Sequence, residues 1–167
     1  MSSQAENTFR IGVRNSLAAL NQQIEEALAA LISHEYPPEV YALAFEVFPD
    51  SFTSGFPARA FFMDRTNTEF FLYSNGKVEY PSPIDPQLLE LAQIYPAELE
   101  ERFEGDAPDH DPWELATDEL IYWFSARWNS AGGSSFRRVA TISAHDSDRE
   151  FNLISKQWQS SYAAFDL

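Results

Sequence analysis

Three histidines are the residues best suited to acid–base or metal chemistry, and two of them sit among carboxylates. His110 lies in Asp109-His110-Asp111, and His145 opens His145-Asp146-Ser147-Asp148. If folding joined those two loops, imidazole and carboxylate ligands could hold zinc or a harder divalent ion. The spacing matches neither a zinc motif nor an EF-hand loop, and Asp111 is also needed as a helix cap, so the sequence predicts no metal site. His34 falls at the end of a helical pattern, where an imidazole suits the helix dipole. A Ser–His–Asp arrangement would have to be assembled around His145 and Asp146. Gly132-Gly133-Ser134-Ser135 follows a helix rather than a strand, unlike a nucleophile elbow. With 26 acidic residues, accidental carboxylate pairs are certain and do not by themselves indicate glycoside chemistry. There is no glycine-rich phosphate loop. The absence of cysteine excludes disulfides, thiolate metal sites and thiol catalysis. The sequence therefore predicts no catalytic residue and no cofactor.

Charge carries more information. The formal net charge is −15, and residues 98–119 hold ten acids against Arg102 alone. A surface of this sign repels phosphate backbones and anionic headgroups, which argues against nucleic acid and membranes as partners. It suits a basic protein. Glu98, Glu101, Glu104, Asp106 and Asp109 are the expected contacts, whereas Asp111 and Glu114 are assigned to capping the next helix. Phe52 and Phe56, embedded in the loop Ser51-Phe52-Thr53-Ser54-Gly55-Phe56-Pro57, are the expected aromatic anchors.

The elements that must position these residues follow from periodicity and punctuation. Aromatic residues make up 15% of the chain, too much bulk for disorder, and no apolar run approaches the ~20 residues that cross a bilayer. Residues 1–7 read as a disordered tail without signal-peptide features, and residues 8–167 as one α+β domain. Val13, Leu17, Leu20, Ile24, Leu28 and Leu31 predict one helix from Thr8 to His34. Strands at about 40–48, 58–63, 69–73 and 77–80 predict an antiparallel meander, with Asn75-Gly76 as a hairpin turn. Leu88, Ala92, Tyr95, Leu99 and Phe103 carry a helical stripe that Pro96 should break or kink. A second helix follows from Asp111-Pro112 to about Asn129, with Trp113, Ala116, Leu120 and Phe124 on one face. Phe136–Ser143 reads as a strand, and Phe151–Trp158 as a last strand or a short helix, with the strand favoured by its mixed alternation. The expected architecture is an antiparallel sheet with helices packed on one face. One of Arg137 and Arg138 is expected to pair with an acid of the 98–119 region.

The last third of the chain adds a resemblance. A helix with Tyr122-Trp123-Phe124 and Trp128 leads to Ala131-Gly132-Gly133, Phe136, Ile142 and His145-Asp146, and finally Phe151-Asn152-Leu153 and Trp158. This run resembles small bacterial proteins of the immunity type, from polymorphic or contact-dependent toxin systems. The resemblance implies a cytoplasmic bacterial protein that neutralises a toxin by binding it, without chemistry of its own. Two alternatives stay open from the residues: a structural or regulatory interaction domain with another partner, or a small hydrolase-like enzyme using an acid and a histidine.

Overall fold

Ser3 starts the first helix. Its hydroxyl accepts the Glu6 amide at 3.1 Å, and α1 runs Gln4–Ala18. The structure, a computed structural model, describes residues 3–165. Residues 4–7 are therefore helical rather than part of a disordered tail, because Ser3 with Glu6 three positions on has the sequence of a capping box. Met1 and Ser2 lie outside the described residues. The single helix expected to His34 is two: α2 spans Asn21–Ser33, and Leu20 between them leaves helical angles at φ −102°, ψ 3°. The apolar stripe runs through the break, with Val13, Leu17, Ile24, Leu28 and Leu31 all buried. At the break Asn21 meets a distant element, accepting the Trp123 indole N–H at 2.6 Å.

β1 (Ala42–Val47) and β2 (Ala58–Met63) pair antiparallel, with Phe45 opposite Ala60. The chain turns back to form one antiparallel bridge between Met63 and Glu69, with the Phe70 amide donating to the Phe62 carbonyl at 2.8 Å, and then leaves this sheet. β3 (Leu72–Ser74) and β4 (Lys77–Glu79) form a separate hairpin around Asn75-Gly76, both residues at positive φ as the turn requires. The expected four-stranded meander is thus corrected to two pairs. The hairpin strands are three residues long and exposed on both faces, so they have no apolar row to place in a core. β5 (Val139–Ala144), β6 (Arg149–Asn152) and β7 (Gln157–Ser160) complete a five-stranded sheet in the order β2-β1-β5-β6-β7. The β1–β5 pairing is parallel, so the sheet is mixed and mostly antiparallel within an α+β architecture. The strand expected over 151–158 is two strands around a tight turn, in which Asn152 Oδ1 accepts the amides of Ile154 and Ser155.

The middle helices differ in how their sequence signals resolve. Asp85 forms a local turn, accepting the Gln87 amide at 2.8 Å, and the chain stays irregular until α3 begins at Ala97 and runs to Asp106. Pro96 stands at its N-cap position, so the proline starts this helix instead of kinking a longer one. α4 (Pro112–Ser130) opens as the sequence predicts, with Asp111 Oδ1 accepting the Trp113 amide at 2.9 Å. α4 lies on the sheet: Phe124 and Trp128 pack on Phe45 at centroid distances of 4.8 and 5.9 Å. Gly133 lets the chain pass directly beneath Trp128 on its way to β5, since a Cβ there would sit 2.1 Å from the indole nitrogen.

Ion pairs centred on two carboxylates, Glu119 and Glu25, tie the helices together. Buried Glu119 of α4 accepts from Arg14 Nε (2.7 Å) and Nη2 (2.9 Å), and from Arg10 Nη1 (3.1 Å). Glu25 of α2 accepts from Arg127 of α4 at 2.5 Å. The basic partners of the 98–119 acids are thus Arg10 and Arg14, not Arg137 or Arg138. Arg138 instead donates to the backbone carbonyls of Val40 and Tyr36, and Arg137 is exposed. Hydrogen bonds to charged groups contribute about 1.5–3 kcal/mol each, and Glu119→Gln removes the charge from three of them. Equilibrium urea unfolding should therefore show a loss of about 2 kcal/mol with an unchanged m-value. An unchanged midpoint would mean that this contact does not hold α1 to α4.

Candidate partner-binding surface

α3 is anchored by its inner side. Phe103 is buried and stacks on Phe9 at 4.9 Å, while Tyr95 just upstream stacks on Phe52 at 5.6 Å. The Tyr95 hydroxyl donates to Glu100 Oε1 at 2.7 Å. Burial, with the Glu100 carboxylate alongside, holds that phenol far above its usual pKa. With Phe103 pinned inward, the three-residue steps of Glu98, Glu101 and Glu104 run along the outer side of the helix. These three, with Asp106 and Asp109 in and after its last turn, are exposed. The other acids of the segment differ. Glu119 is neutralised by Arg10 and Arg14, Asp118 approaches Arg10 at 4.0 Å, Glu100 holds Tyr95, and Asp111 caps α4. The outward charge is therefore that of the five residues singled out from the sequence, continued by Glu114.

The aromatic anchors are corrected. Phe52 and Phe56 are fully buried: Phe52 lies against Tyr95, and Phe56 meets Trp123 edge-on at 6.4 Å. The Ile94 amide donates to the Phe52 carbonyl at 2.8 Å, which sews this loop under the segment leading into α3. Neither ring can touch a partner in the folded protein. The large apolar side chains that do reach the surface include Trp113 and Tyr122 of α4 and Tyr73 and Val78 of the β3–β4 hairpin. Trp113, expected in the core stripe, is 42% exposed. It stands in the first turn of α4, beyond the sheet row that buries Ala116 and Leu120.

The histidines occupy separate environments. His110 packs beside Phe103, at a centroid distance of 6.4 Å. His145 lies on Phe48, with Nδ1 3.3 Å from Glu46 Oε2 and Nε2 3.4 Å from Asp146 Oδ2. Both of its ring nitrogens face carboxylates. Among the described residues, no group of three or more histidines and acids is arranged to hold a metal ion. The sheet face opposite the helices has a cavity of about 150 Å³ lined by Glu46, Glu69, Thr141 and Glu150, among others. Its buried carboxylate is satisfied internally, as Glu150 accepts from Gln159 Nε2 at 2.6 Å and from the Tyr162 amide at 3.0 Å. Burial raises the pKa of Glu69; Arg59 opposes this and Glu46 adds to it.

The chain matches no family model, no curated protein and no solved structure. Among the described residues, no helix is long and apolar enough to cross a membrane. Removing a buried phenylalanine leaves a cavity worth about 3–5 kcal/mol, so Phe52→Ala should lower thermal and urea stability steeply. Trp113→Ala should stay within about 0.5 kcal/mol of the parent, as exposed positions do. Denaturation of the two variants side by side checks this, and the reverse order of stabilities would contradict the assignment of core and surface.

Proposed function

We propose that this chain is a non-catalytic binding module whose carboxylates on α3 and the α3–α4 loop capture a basic protein. In its most specific form the proposal is an immunity protein that works in the cytoplasm by occluding a basic toxin. One observation carries the reading. Within a single short segment, the one buried acid, Glu119, is matched by Arg10 and Arg14, whereas Glu98, Glu101, Glu104, Asp106 and Asp109 are exposed and have no ion-pair partner among the described residues. Like charges held this close repel and lower stability, a burden that a basic partner would relieve. Complementary potentials also raise the rate of productive encounter.

The test is kinetic. The immobilised chain is used to isolate a partner, and association is then measured with both purified proteins over a range of salt concentrations. Glu98→Lys, Glu101→Lys and Glu104→Lys together should slow association by about tenfold or more at low ionic strength and flatten its salt dependence. Unchanged association and salt dependence, with folding intact by circular dichroism, would remove this face from the interface. Capture of an acidic partner would overturn the basic-protein reading itself.

A further inference from the structure

The cavity of about 150 Å³ on the sheet face opposite the helices has a simple origin in the strand register. Ala140 and Ile142 of β5 enter the core, so Thr141 between them faces the other way. Across the strands Phe61, Ala44 and Thr141 fall in one row, and the middle of that row is only a methyl group. The last described residues lie over the hollow this leaves. The Tyr162 amide donates to Glu150 Oε1 at 3.0 Å, the Ser161 hydroxyl to the Ser147 carbonyl at 2.9 Å, and the Tyr41 hydroxyl to the Ala164 carbonyl at 2.8 Å. A water takes about 30 Å³ in the liquid, so the space suits several waters or one small organic guest.

Two buried groups in this cavity lack what burial normally demands. Thr141 is 4% exposed, and its hydroxyl makes no hydrogen bond. Three other side-chain atoms among the described residues are unbonded and also sealed, Thr117 Oγ1, Arg127 Nε and Trp128 Nε1. Thr141 Oγ1 is unbonded without being sealed, and the space it opens on is this cavity. A guest there can make the missing bond. Glu150 is 5% exposed, and both of its hydrogen bonds come from neutral donors, the Gln159 side chain and the Tyr162 backbone. Among the described residues it has no ion-pair partner, and the adjacent Arg149 rests over the Trp158 ring instead. Buried charges are normally paired, and a carboxylate has about four acceptor sites, of which Glu150 uses two.

We infer that this cavity binds a small primary alkylammonium ion, its head on Glu150, Glu69 and Thr141 and its carbon stem against Phe61 and Phe165. The inference goes beyond the proposed function and does not rest on it, since the cavity lies across the sheet from the helices. The sign of the guest follows from the unpaired Glu150. Glu69 points the same way: burial raises its pKa, Glu46 adds to this, and Arg59 offsets it only in part, being engaged on the Tyr80 hydroxyl at 2.7 Å. The remaining acids at the cavity are Glu46 and Asp146, and both lie against His145. A divalent metal needs a converging set of oxygen ligands, and no group of three acids or histidines is so arranged among the described residues. An ammonium brings three donors on a compact head, matching two carboxylates and one hydroxyl. A quaternary ammonium would bring none to Thr141. Phe61 and Phe165 line the cavity as well, which gives a short methylene chain an apolar wall. The small volume and the 161–165 segment above it favour a free amine over a lysine carried by a folded protein.

The experiment titrates the full-length, ¹⁵N-labelled protein with propylamine at neutral pH and follows the Thr141 and Tyr162 amide resonances. Both should shift saturably. Neutral 1-propanol, tetramethylammonium and potassium at matched ionic strength should leave them in place. Glu150→Gln should weaken propylammonium by about tenfold or more. Thr141→Val keeps the side chain's shape and loses no existing bond, so it should leave the melting temperature unlowered yet weaken the amine about tenfold, as one charge-assisted bond would. Glu69→Gln should weaken it too, and neither of these two variants depends on how the Glu150 variant folds. Absence of saturable shifts, equal responses to 1-propanol or potassium, or full affinity in the Thr141 and Glu69 variants would each overturn the inference, leaving the cavity to water. Tighter binding of Nα-acetyl-lysine methylamide than of propylamine would overturn the assignment to a free amine.

Discussion

β1 and β5 lie side by side and run in the same direction, and the layout of the helical layer depends on that one parallel pairing. A hairpin cannot join parallel strands; the chain must cross over one face of the sheet and return. Here the last element of the crossover is α4. It descends over Phe45, turns at Gly133 under Trp128, and enters β5. α4 consequently runs opposite to β5, so its first turn stands over the end of β5 and the β5–β6 turn. The same geometry that closes the core opens a groove between Trp113 and Ser147. α1 and α2 then take their places against α4 through Arg10, Arg14 and Glu25.

The treatment of acids follows from this packing. Where a carboxylate falls inside, the chain supplies a donor: two arginines for Glu119, a phenol for Glu100, an amide and a glutamine for Glu150. Where one falls outside along α3, at Glu98, Glu101 and Glu104, no ion-pair partner stands against it among the described residues. The division is physical as well as descriptive. A buried unpaired charge is strongly destabilising, while exposed charges are screened and tolerated, so the outward set is free to be shaped by a partner. Asp118 stands between the two regimes, partly buried and only loosely approached by Arg10.

Local signals were legible in the sequence, and long-range ones were not. Asp111-Pro112 and Asn75-Gly76 specify backbone geometry within a few residues, and the structure places a helix start and a turn there. Ser3 and Glu6 carried an equally local signal that the polar composition around them obscured. The α1–α2 break has no glycine or proline, and the buried stripe continues across it, so nothing in the periodicity records it. The β1–β5 pairing joins segments some ninety residues apart through strand backbones that any neighbour could satisfy. Phe52 and Phe56 misled for a different reason. Their serine, threonine and glycine neighbours describe the backbone as loop, but burial of a loop ring is decided by what folds over it, here Tyr95 and Trp123. The exposure of the α3 carboxylates was legible because exposure is the default for charge. The cavity was not, since Glu69, Thr141 and Glu150 meet only in three dimensions.

A partner held by the outward carboxylates would sit on α3, the α3–α4 loop and the start of α4, and not on the sheet face opposite the helices or the β3–β4 hairpin. Hydrogen–deuterium exchange on the complex, compared with the free chain, tests it most directly. Exchange should slow over residues 98–118, with residues 58–63 and 72–79 unchanged. Protection confined to the hairpin or to the cavity side of the sheet, with residues 98–118 exchanging as in the free protein, would contradict it.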